Sequence, residues 1–177
     1  MPELAVTAIG RDRPGIVASV TGSLLDLGGN VEDSQMSILG GHFAVMLLVA
    51  VPDGTEREQV VERLAEVAQE HELEAISVAE VSEQSARPAA PSHVLSVYGA
   101  DRPGIVHSVS SALAEEGVNI TDLETKLTGS SEAPVYVMVL EVALGAAAPE
   151  AVEAALRQAG GERDLEVSIR ELDMDPL

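Results

Sequence analysis

Short apolar runs along this chain alternate with stretches in which apolar residues return every three or four positions. Leu4-Ala5-Val6-Thr7-Ala8-Ile9 is a compact run closed by Gly10, the pattern of a strand. Ile16, Val20, Leu24 and Leu27 follow at helical spacing and make one apolar face. Pro14 stands where that helix is expected to begin, since its fixed φ and missing N–H suit a first turn. Gly28-Gly29 supplies a left-handed stop. Residues 30–39 alternate loosely, as a strand does, and Gly40-Gly41 is a two-residue hairpin signal. Residues 43–51 form the returning strand. They are apolar at nearly every position, as in a strand covered on both faces or buried at an interface. Asp53-Gly54 turns the chain, and Thr55 and Glu58 stand in capping-box spacing. A second helix is expected there, with Val60, Val61, Leu64 and Val67 inside, and residues 74–81 form a last strand. The order β-α-β-β-α-β is the ferredoxin-like arrangement.

The same order then repeats. Sliding the chain by 89 positions sets Gly10 on Gly99, Asp12 on Asp101, and Pro14-Gly15-Ile16-Val17 on Pro103-Gly104-Ile105-Val106. Between Gly10 and Asp33, 13 of 24 positions are identical, where chance at ordinary composition gives about one or two. That is an internal duplication. In the second copy a strand begins near Ser92, a helix at Pro103 and a strand at Asn119. A strand over 135–142, a helix from Pro149 and a strand over 165–172 complete it. Phe43 matches Tyr136 only at an offset of 93, so the second hairpin, residues 129–134, has gained four residues and is expected to be a longer loop.

Residues 82–91 have no hydrophobic period and contain Pro88 and Pro91, the signature of a linker. The expected fold is α+β: two ferredoxin-like βαββαβ domains in tandem, antiparallel sheets with helices on one face. Their bounds are 1–82 and 92–177, with a linker over 83–91.

Composition narrows the function. The chain has 177 residues and is 46% apolar, but its only aromatic residues are Phe43, Tyr98 and Tyr136. Cores of Val, Leu, Ile, Ala and Met suit thin sheet-on-helix layers better than a deep pocket for a planar cofactor. The net charge is −20, with 15 acidic and 5 basic residues in each half. Such a surface repels phosphate backbones, so direct nucleic-acid binding is not expected. Cysteine is absent, which removes disulfides and thiol chemistry. The beginning of the chain shows no signal peptide, and residues 43–51 are too few to span a bilayer, so a cytoplasmic protein without membrane contact is expected.

The chain lacks the Gly-rich phosphate loops and the nucleophile elbow of common enzyme families. His42, His71, His93 and His107 have no companions at zinc spacing, and Lys126, the only lysine, stands without a catalytic partner. No catalytic residue, metal or cofactor is expected.

The duplicated Asp12-Arg13-Pro14-Gly15-Ile16 and Asp101-Arg102-Pro103-Gly104-Ile105 remain. A sharp strand-to-helix turn accounts for Pro and Gly by itself. Asp and Arg ask for more. A helix start presents free N–H groups and partial positive charge, a seat for a carboxylate. Asp12 or Asp101 one turn away can meet an ammonium, so the pair fits the zwitterion of a free amino acid. Asn30 and Asn119 can donate and accept, or can simply tolerate the backbone that follows a helix end.

The turn Asp-Arg-Pro-Gly-Ile-Val, a helix, and then Gly28-Gly29-Asn30-Val31 or Gly117-Val118-Asn119-Ile120 resembles the ACT domain over nearly all of both copies. Two such units with no enzyme attached look like the glycine cleavage system transcriptional repressor group. The resemblance implies amino-acid binding at interfaces between paired units. By position it implicates Asp12, Gly15, Ile16 and Asn30, with Asp101, Gly104, Ile105 and Asn119. Asp12 and Asp101 depart from the Asn that several members have before Arg-Pro-Gly, which admits a basic ligand such as arginine beside glycine or serine. The expected function is a non-enzymatic amino-acid sensor, homodimeric, acting through a protein partner such as a transcription factor or a metabolic enzyme. The alternative is a constitutive scaffold or regulatory subunit with no ligand response.

Overall fold

A computed structural model describes residues 2–81, 89–130, 133–161 and 165–172. The chain divides into two compact units, Met1–Ala86 and Arg87–Leu177. The expected linker, 83–91, falls mostly outside the described residues.

The first unit runs β1 (Glu3–Arg11), α1 (Ile16–Asp26), β2 (Asn30–Leu39), β3 (His42–Ala50), α2 (Arg57–Glu70) and β4 (Ala75–Glu80). Its antiparallel sheet has the order β2-β3-β1-β4. The two central strands explain the layering. Leu4, Val6 and Ala8 of β1 and Phe43, Val45, Leu47 and Val49 of β3 point to one face and are buried. Ile16, Val20 and Leu24 of α1 and Val60, Leu64 and Val67 of α2 close over them. Apart from Ala8, each such side chain contributes about 1.5–3 kcal/mol on burial. Val61, expected inside, is 37% exposed, because it lies beyond the buried 60/64/67 stripe of α2. β3 is not covered on both faces. Met46, between the inward Val45 and Leu47, is 54% exposed on the open side of the sheet.

The second unit repeats this plan with β5 (His93–Ala100), α3 (Ile105–Glu115), β6 (Asn119–Ser130), β7 (Ala133–Ala143), α4 (Pro149–Gly161) and β8 (Glu166–Glu171), in sheet order β6-β7-β5-β8. Both units are therefore ferredoxin-like, α+β, with their helices on one sheet face. Both edge strands carry the same irregularity, a register shift at Val31/Asp33 and at Ile120/Asp122. The four extra residues of the second hairpin did not make a longer loop. Leu39 pairs His42 in one unit and Ser130 pairs Ala133 in the other, so the ladder itself is extended and each strand is two residues longer. The tip of that hairpin, 131–132, lies outside the described residues.

The second helix begins one residue later than the Thr55/Glu58 spacing suggests. Glu56 is the N-cap in extended conformation, and its N–H donates to Gln59 Oε1 at 3.1 Å, forming a capping box with Gln59.

Candidate functional site

A left-handed glycine shapes each strand-to-helix turn. Gly15 precedes α1 with φ 98° and Gly104 precedes α3 with φ 89°. An L residue there costs about 1–2 kcal/mol, which accounts for glycine in both copies. The prolines do not open the helices. Pro14 and Pro103 sit one position before the glycine, and the helices begin at Ile16 and Ile105, both buried. Neither helix has a side-chain cap or an acidic residue in its first turn. Their first N–H groups and the positive end of the dipole are left to the turn itself.

Asp12 and Asp101 are exposed beside these helix starts. The Asp12 N–H donates to the Gly41 carbonyl at 3.0 Å, tying the turn to the β2–β3 hairpin. Arg13, which also lines the groove beside this turn, pairs with Glu72. Next to it, His71 Nε2 and Ser19 Oγ are 2.7 Å apart. A Cβ on Gly15 would stand 3.5 Å from His71 Cε1, and one on Gly10 would stand 2.9 Å from Leu73 Cδ2. Glu74 N–H donates to the Ile9 carbonyl at 2.9 Å, and His42 Nε2 lies 3.4 Å from a Glu74 oxygen. Residues 71–74 thus bracket the turn from the α2–β4 side. No sequence periodicity could point to them, because they meet the turn from about sixty positions away.

The turn opens onto a groove of about 520 Å³. Asp12, Gly15 and Ile16 line it together with Val17 and Ala18 of α1, Met36 of β2 and Phe43 of β3. The arrangement sets a carboxylate and a helix start at one end of an apolar surface, which matches the two charges and the side chain of an amino acid.

Asn30 is not part of this groove. It pairs Ala50, which pairs Glu3, whereas Asp12 follows Arg11, which pairs His42. Eight residue steps of β3 separate those two ends, about 27 Å at the strand rise. The reason is topological: α1 carries the chain back along the sheet before β2 begins. In the second unit Asn119 pairs Ala143 while Ala100, just ahead of Asp101, pairs Val135, so the same separation holds. Each unit brings Asp, Gly and Ile together and leaves Asn at the far end.

Among the described residues no group of three or more His, Asp or Glu is placed to hold a metal ion, and no helix is long and apolar enough to cross a membrane.

Models of a family described as the ACT domain match residues 3–77 and 93–161. The glycine cleavage system transcriptional repressor of Escherichia coli (strain K12) is 28% identical over 124 residues. The match takes in 70% of this chain and 64% of that protein, so the chain spans less than two thirds of that relative's length. A UPF0237 protein of Methanopyrus kandleri is 39% identical over 69 residues, 39% of this chain and 73% of that protein. Among solved structures, an unknown protein from Galdieria sulphuraria superposes with a TM-score of 0.79 at 28% identity, covering 97% of this chain and 98% of that one. A structure provisionally assigned as a glycine cleavage system transcriptional repressor superposes with a TM-score of 0.68, covering 97% of each chain. At 19% identity that second likeness is one of fold.

Proposed function

The chain belongs to the ACT domain family, carrying two such domains in tandem, and from that premise we propose that it is a non-enzymatic sensor of a free amino acid. A regulatory role is supported by the relationship to the repressor, the finer assignment by the turn. The observation that carries it is the meeting of Asp12, the uncapped start of α1 and an apolar groove in one place. The α-carboxylate sits on the first-turn N–H groups, the α-ammonium on Asp12, and the side chain along Ala18 and Met36.

Asn30 enters from a second copy of the chain. β2 is a sheet edge ten residues long, exposed throughout, with Val31, Met36 and Ile38 on its surface and no lysine to block pairing. Antiparallel pairing of two such edges would set Asn30 of one copy beside the Leu39 end of the other, near the turn. A ligand held by both copies favours the paired form, which is what a switch requires. The output is to a protein partner, a transcription factor or a metabolic enzyme, since a net charge of −20 disfavours direct contact with nucleic acid.

Thermal denaturation with each of the twenty amino acids at millimolar concentration tests the reading. Stabilisation by one or a few of them is expected, abolished by Asp12→Ala together with Asp101→Ala. No stabilisation by any amino acid would leave a constitutive scaffold instead.

A further inference from the structure

The two turns share one frame and differ in what lines it. At the frame, Asp, Arg, Pro, Gly, Ile and Val are identical from Asp12 to Val17 and from Asp101 to Val106. Three other groove positions of the first unit are Ala18, Met36 and Phe43. Their counterparts follow from the repeat and the strand ladders. Ala18 corresponds to His107, 89 positions on. Met36 pairs Val45 as Thr125 pairs Met138. Phe43 pairs Gly10 as Tyr136 pairs Gly99. Every difference runs the same way. A methyl becomes an imidazole, a thioether becomes a hydroxyl, and a phenyl becomes a phenol. Ala18, His107 and Thr125 are exposed and Met36 is 51% exposed, so these side chains can reach a bound molecule.

We infer that the two units take amino acids of different classes: the first an amino acid with an apolar side chain, the second one whose side chain hydrogen-bonds. The inference rests on the sensor reading above and assigns the ligand class of each turn. The constant frame holds the ammonium and carboxylate, which all amino acids share. Only the variable positions can discriminate. An apolar wall rejects a hydroxyl weakly, but a wall of donors and acceptors left unpaired by an apolar ligand rejects it strongly. The groove of the first unit, about 520 Å³, has room for a side chain well beyond that of glycine or serine.

The test is calorimetric titration of the full chain with L-leucine and with L-serine, each alone and in the presence of the other at saturation. One equivalent of each per chain, without competition, is expected. Ala18→His with Met36→Thr should weaken L-leucine about tenfold and leave L-serine unchanged. His107→Ala with Thr125→Met should do the reverse. All four positions except Met36 are plainly at the surface and Met36 is half-exposed, so the variants are expected to fold, with circular dichroism as the control. Competition between the two amino acids, binding of only one class, or lining swaps that move both affinities alike would overturn the division while leaving the sensor reading in place. Binding of neither would overturn the division, and the panel of twenty amino acids would then decide the sensor reading separately.

Discussion

Glu72 pairs its carboxylate with the guanidinium of Arg13, 59 positions away in sequence, and does so from a left-handed backbone, φ 51°. It is the one non-glycine residue of positive φ among the described residues. Glycine would suit a position just past the C-cap of α2, so the side chain is what Glu72 adds. An exposed pair contributes about 0–1 kcal/mol, while the left-handed backbone costs an L residue about 1–2 kcal/mol. The two glutamate substitutions should therefore separate. Glu72→Gln, which loses the charge and keeps the strain, should be destabilised by at most ~1 kcal/mol, an effect that fades in high salt. Glu72→Gly should be more stable than Glu72→Gln by roughly 0.5–1 kcal/mol, the strain relieved less the added freedom of the unfolded chain. Urea denaturation at low and high salt gives both numbers. A glycine variant less stable than the glutamine variant would mean that the backbone here is not strained.

Gly15 makes a cleaner test, because space is not the obstacle. The nearest atom to a Cβ on Gly15 is His71 Cε1 at 3.5 Å, an ordinary contact. The cost of Gly15→Ala should then be the left-handed penalty alone, about 1–2 kcal/mol. Gly104, at φ 89°, carries the same left-handed penalty, so Gly104→Ala should cost at least as much. A much larger loss at Gly15 would point to a tighter enclosure of the turn than the structure has.

Acid should weaken the start of α2 in a defined way. The Glu58 carboxyl is held below its ordinary 4.5, first by a backbone hydrogen bond at the helix start and then by Arg57 beside it. A depressed folded value means that the ionised form favours the folded state. That contribution is present above 4.5 and is lost as pH falls through the lower, folded value. Glutamine cannot ionise, so the stability difference between the native chain and Glu58→Gln should be steady at neutral pH and close as pH falls from 4.5 through the lower, folded value. Denaturant midpoints across that range decide it. A difference that persists in acid would assign Glu58 a role independent of its charge.

How far the sequence reaches differs by feature. The element order is legible because each strand and helix carries its own period, and because the duplication states it twice. Gly28 ends α1 in the left-handed region and Gly40-Gly41 turn the hairpin, as the residues themselves announce. Local choices between neighbours are less legible. Pro14 or Gly15 could each have opened a helix, and only the positive φ at Gly15 settles it. Thr55 and Glu56 both can cap, and the reciprocal bond with Gln59 selects Glu56. Nothing local could place Asn30. It follows the turn by fifteen positions, yet the length of α1 puts it at the other end of the sheet. Glu72 and His71 were invisible for the converse reason, since the fold alone brings them to Arg13 and Ser19.

The distance between Asn30 and the turn makes the site's dependence on a second copy testable. If one unit sufficed, Asn30, about 27 Å from Asp12 along the ladder, would be irrelevant to binding. If β2 edges pair, Asn30 of a second copy completes the groove. Asn30→Ala should then leave stability within about 0.5 kcal/mol, as for an exposed position, and weaken amino-acid binding about tenfold. Ile38, 53% exposed on β2, supplies the complementary variant. Ile38→Lys places a charge on the edge and should convert a dimer to a monomer in sedimentation, as edge lysines do against strand pairing. Its binding should fall with its self-association, and dilution of the unaltered chain should lower apparent affinity in parallel. A monomeric Ile38→Lys chain that binds as tightly as the unaltered one would confine the site to a single unit and leave Asn30 without a part in it.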